Sequence, residues 1–112
     1  MGYYTHYYLE LRGTEEDKEK FKLALIKRMP AEQDRIEYLF DNSSVTAKLY
    51  NLPGEISLIT YRFPKLLIIL SGNGEEPLDI WEMRWKGKTF EKTQAVLPPI
   101  TNKRLLTKDF NN

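Results

Sequence analysis

Five consecutive hydrocarbon residues, LLIIL at Leu66–Leu70, stand between Lys65 and Ser71 with no polar residue among them. A strand solvated on one side alternates apolar and polar residues, whereas a strand buried on both sides has no polar face to show. The run therefore predicts a central strand covered from above and below. A chain of 112 residues must then build a sheet and a second layer around it.

The flanking segments supply that sheet. Ile80–Lys86 alternates cleanly, with Trp81, Met83 and Trp85 on one face and Glu82, Arg84 and Lys86 on the other. Gly87 turns the chain into a last strand over residues 89–96. At the other end, Tyr3–Arg12 also alternates, placing Tyr7, Leu9 and Leu11 on a drier face and Tyr4, His6, Tyr8 and Glu10 opposite. After Gly13, Thr14 and Asp17 resemble a capping box with a shortened acid, and the spacing predicts a helix over Glu15–Met29. Its acidic first turn and its Lys27 and Arg28 complement the helix dipole. Phe21, Leu25 and Met29 form its buried stripe, with Ile26 at the margin, and Pro30 closes it.

IEYLF (Ile36–Phe40) and VTAKLY (Val45–Tyr50), joined by the turn-forming DNSS, predict a β-hairpin. Pro53 opens a second, short helix that carries Ile56, Ile59, Tyr61 and Phe63 and ends at Pro64. The elements in order are βαββαβ followed by a C-terminal β-hairpin extension. This predicts an α+β, ferredoxin-like antiparallel sheet with helices on one face and the other face open. Residues 1–97 are expected to form this domain and residues 98–112 a tail.

The chain has no cysteine, which removes disulfides, thiolate metal sites and cysteine nucleophiles together. The N-terminal MGYYTHYYLEL has no basic region followed by an apolar core, and LLIIL falls far short of the ~20 residues of a bilayer span. A cytoplasmic protein with no membrane association is expected. Its 17 basic and 16 acidic residues leave a formal charge of +1, a poor basis for affinity that depends on neutralising many phosphates.

Two groups of residues are candidates for function. The first is the loop GNGEEPLDIW, where Gly72, Gly74, Glu75, Glu76 and Asp79 combine flexible backbone with three carboxylates. Hard cations favour such oxygen ligands, but the D-x-D-x-D-G spacing is missing and Pro77 interrupts the run. The loop is accordingly expected to be structural, with Glu75, Glu76 or Asp79 accepting backbone N–H groups across the loop, and no metal or cofactor is assigned. The second is the open sheet face bearing Tyr4, His6 and Tyr8. Tyrosine offers a large contact area with little entropy to lose, which suits a protein interface. Bases of single-stranded nucleic acid stack on the same kind of surface, so nucleic acid is the alternative ligand, although no RNP-like run is present. A second copy of the chain is another candidate cover for the tyrosines. His6 is the only histidine and no serine lies in a nucleophile elbow, so no catalytic residue is assigned.

A segment covering a little over a third of the chain carries a family resemblance. Leu49 and Tyr50, Phe63 and Pro64, the strand Leu66–Leu70, the Gly72–Glu76 loop, Asp79 with Trp81, and Gly87 with Lys88 occur in that order. In this combination the segment resembles the ferredoxin-like domain of the YubB-like proteins of phages and plasmids. Leu49 stands where the family usually has an aromatic residue, and Asn73 where an acid is common. The resemblance implies a non-enzymatic accessory protein of a mobile element, working in a bacterial cell on a host or phage protein, with anti-defence as one setting. It transfers no catalytic residue.

Overall fold

The computed structural model describes residues 4–76 and 78–95. The expected tail at 98–112 and the end of the last strand at Val96 lie outside the described residues. Five strands form one antiparallel sheet: β1 (Thr5–Arg12), β2 (Ser44–Ala47), β3 (Leu67–Gly74), β4 (Ile80–Lys86) and β5 (Thr89–Gln94), in the order β2-β1-β3-β4-β5. Three helices, α1 (Glu15–Arg28), α2 (Gln33–Asn42) and α3 (Leu52–Ile59), complete the α+β architecture.

The apolar run lies at the centre of this order. Within β3, Ile68 and Leu70 are fully buried and Ile69, which points the other way, is only 7% exposed. Ile69 stands in register between Glu10 and Arg84 on the open side. On the helix side, Leu11, Ile68 and Trp85 form one cross-strand row, Leu9, Leu70 and Met83 the next, and Tyr7, Gly72 and Trp81 the third. Helix α1 starts as the sequence requires, with the Thr14 Oγ1 accepting from the Asp17 N–H at 3.1 Å. Phe21 and Leu25 are buried beneath it, and Phe21 meets the rings of Phe40 and Phe63 at centroid distances of 5.9 and 5.7 Å. Trp85 joins the layers by donating its Nε1–H to the Ser57 Oγ on α3 at 2.9 Å.

One expected element is different. Ile36–Phe40 is not the first strand of a hairpin; it lies within α2, and Asp41–Ser44 carries the helix end into β2. Ile36, Leu39 and Phe40 are spaced i, i+3, i+4 and turn inward together, leaving Tyr38 outside. A five-residue stretch of Ile, Glu, Tyr, Leu and Phe satisfies strand and helix patterns alike, and packing against Phe21 selects the helix. Ser43 ends it in the left-handed region at φ 63°, and its carbonyl accepts from the Leu9 N–H at 2.9 Å.

The element order is thus βααβαβββ, and the strand order departs from the expected βαββαβ arrangement. Because β2 and β3 both run antiparallel to β1, they are parallel to each other, with α3 crossing between them. The strand that would have lain outside β2 is helix α2 instead, so β2 is a sheet edge. At the opposite edge Gly87, at φ 59°, makes the tight turn between β4 and β5, a conformation glycine adopts without steric cost. Among the described residues no helix is long and apolar enough to cross a membrane.

Candidate protein-binding face

Pleating alternates side chains across the sheet, so the β1 register decides what faces outward. Thr5, Tyr7 and Leu9 are buried toward the helices, while Tyr8 and Glu10 are exposed and His6 is partly so. Tyr4, His6 and Tyr8 therefore share the open face, as their spacing requires. Tyr4 and Tyr8 are 48% and 49% exposed, and the His6 and Tyr8 rings meet at 4.6 Å with a 55° tilt. His6 Nδ1 shares a hydrogen bond with Thr46 Oγ1 on β2, which holds the imidazole toward the edge. The Lys48 ammonium lies 4.6 Å from the Tyr4 ring centroid, a cation–π contact at this end of the face.

The rest of the open face carries Ile80, 49% exposed, and charged residues of both signs, four of them ion-paired. Arg12 donates to Glu10 and Arg84 to Glu82, each at 2.6 Å. The bond to Glu82 is the main reason that the Arg84 guanidinium titrates above its ordinary range, with Glu91 and Glu10 adding to it. An aromatic end thus adjoins a mosaic of both signs.

The loop meets this face. The Glu75 carboxylate accepts from the backbone N–H of Tyr4 at 3.0 Å, so one acid of GNGEEPLDIW fastens the start of β1. The loop closes on itself through Gly74 N–H to the Asp79 carbonyl at 2.8 Å and Asp79 N–H to the Glu76 carbonyl at 3.1 Å. Leu78 has a φ of 68° within it. Gly72 belongs to β3, and what it provides is space: a Cβ there would lie 2.2 Å from the Trp81 ring. Trp81 lies across that glycine and reaches Tyr7, with ring centroids 6.0 Å apart in an edge contact. Glu75, Glu76 and Asp79 do not converge on a point, and the described residues contain no group of three His, Asp or Glu side chains placed to hold a metal ion.

Behind the face, the Tyr7 hydroxyl donates to the Leu49 carbonyl at 3.0 Å. Burial raises its pKa above the ordinary phenol value, so it remains a neutral donor across the physiological range. Tyr7→Phe leaves a buried carbonyl without its donor and is expected to cost about 1–2 kcal/mol, measurable by urea unfolding with an unchanged m-value. Sequence reasoning missed Tyr38 and Asp34, which are exposed on α2 beside β2, because it placed Tyr38 in a strand over Ile36–Phe40 and Asp34 in no element. Their i, i+4 spacing was the available signal. The chain matches no protein-family model, no curated protein and no solved structure.

Proposed function

We propose that this chain is a small non-enzymatic binding module that engages a protein partner through the open sheet face centred on His6 and Tyr8. The supporting observation is the coexistence of two half-exposed tyrosines with ion-paired acids and bases on one continuous face. Aromatic rings beside mixed charge suit a protein surface, where contact area and charge register both contribute. Glu10, Glu82 and Glu91 interleave with the arginines, so a phosphate backbone crossing this face meets repulsion as often as attraction. The resemblance of residues 49–88 to YubB-like ferredoxin-like domains supports a mobile-element setting, with a bacterial host or phage protein as the partner and interference with host defence as the outcome.

The test is affinity capture from bacterial lysate with the wild-type chain and with the Tyr4→Ala, Tyr8→Ala double variant. One stoichiometric protein should be retained by the wild type and reduced at least tenfold by the double variant. Labelled single-stranded RNA and DNA are titrated in parallel at two salt concentrations. Submicromolar, salt-dependent binding that disappears in the same variant would replace this reading with a nucleic-acid one.

A further inference from the structure

We propose that the β2 edge accepts an extended basic peptide as an additional strand, held between β2 and the side of α2 that carries Asp34 and Tyr38. The backbone geometry comes first. In an antiparallel pair, residues alternate between those bonded to the partner strand and those whose N–H and C=O point away. Leu9 N–H bonds to the Ser43 carbonyl, and Val45 and Ala47 follow at the same phase opposite Tyr7 and Thr5. Ser44 and Thr46 therefore direct their N–H and C=O groups out of the sheet, with no further strand beyond them. An edge of this kind is the template for β-augmentation.

The surroundings distinguish this edge from the other one. β5 is exposed along its whole length and α2 is on the far side of the sheet from it. Beside β2, by contrast, α2 forms the wall of a cleft of about 460 Å³, with Asp34, Arg35 and Tyr38 on the helix side and Val45 and His6 contributing from the sheet. Tyr38, 56% exposed, provides an apolar surface for alternate side chains of an added strand.

Charge selects the occupant. The cleft presents two side chains of formal charge, Asp34 and Arg35, and Arg35 is already engaged by Glu32 at 2.8 Å. Asp34 is exposed in the cleft and enters no ion pair among the described residues. A strand carrying lysine or arginine at alternate positions sets a cation beside Asp34, and an acidic one is repelled by it. The site shares His6 with the open face but is tested separately: Tyr4→Ala with Tyr8→Ala leaves the outward backbone groups of β2 and the Asp34 carboxylate in place.

The probe is a labelled ten-residue peptide of alternating Val and Lys, with a Val and Glu peptide as its counterpart, titrated into the full ¹⁵N-labelled chain. The basic peptide is expected to bind at least tenfold more tightly and to move the amide resonances of Ser44 and Thr46. Asp34→Lys should weaken it at least tenfold. Thr46→Pro, which removes an outward N–H and none of the β1 ladder bonds, should abolish it, while Thr46→Ala should retain it. Circular dichroism establishes that both variants are folded. Equal affinity for the two peptides, no binding of the basic one at millimolar concentration, undiminished binding to folded Thr46→Pro, or resonance shifts confined to another surface would each overturn the proposal. So would self-association in sedimentation that Thr46→Pro abolishes, which would give the edge to a second copy.

Discussion

Phe21→Ala is expected to lower stability by about 4 kcal/mol, the largest single effect in this domain. Phe21 is completely buried and is the ring at which α1, α2 and the segment after α3 meet, through Phe40 and Phe63. Truncation removes its transfer free energy and leaves a cavity that three separate backbones would have to move to fill. In a domain of this size the midpoint of thermal unfolding should fall by about 15–20 °C. Phe21→Leu, which keeps most of the volume, should recover more than half of the loss. A fall of only a few degrees for Phe21→Ala would mean that the helix layer collapses onto the gap and is less tightly packed than described above.

Gly72→Ala is the second. Its new methyl group would stand 2.2 Å from the Trp81 ring, well inside van der Waals contact, so the indole must leave its place over β3. The expected loss is about 2 kcal/mol, in the range for overpacking a well-packed site. Trp81 also contacts Tyr7, so displacement of the indole disturbs the row that backs the open face. A double-mutant cycle isolates the cause. In a Trp81→Val background the same Gly72→Ala change should cost less than half as much, because the clashing ring is gone. Strict additivity of the two substitutions would refute the steric account.

The two candidate sites differed in how far they could be read in advance. Tyr4, His6 and Tyr8 are on the open face because pleating has a period of two and Tyr7 and Leu9 are apolar, and both facts are local. The sequence of GNGEEPLDIW suggests acids that accept backbone N–H groups across the loop, and the Glu75 carboxylate does accept a backbone N–H. Its donor, however, is Tyr4, seventy-one positions earlier in the chain, and no periodicity predicts that pairing. Gly72 likewise looked like a loop glycine, because the residue that demands its small size stands across the strand pair at Trp81.

By itself the sequence determined an α+β domain with α1, the central β3, the β4–β5 hairpin and the two faces of β1. Helix α1 and strands β1 and β4 rest on patterns whose period matches one secondary structure, while β3 rests on an unbroken apolar run between Lys65 and Ser71. Only the tertiary structure decided that Ile36–Phe40 is helical. A stretch of five residues suits both periods, and burial of Ile36, Leu39 and Phe40 around Phe21 is a nonlocal term that outweighs strand propensity. That one decision changed the strand order, left β2 without an outer neighbour and set an acidic helix beside its unpaired backbone.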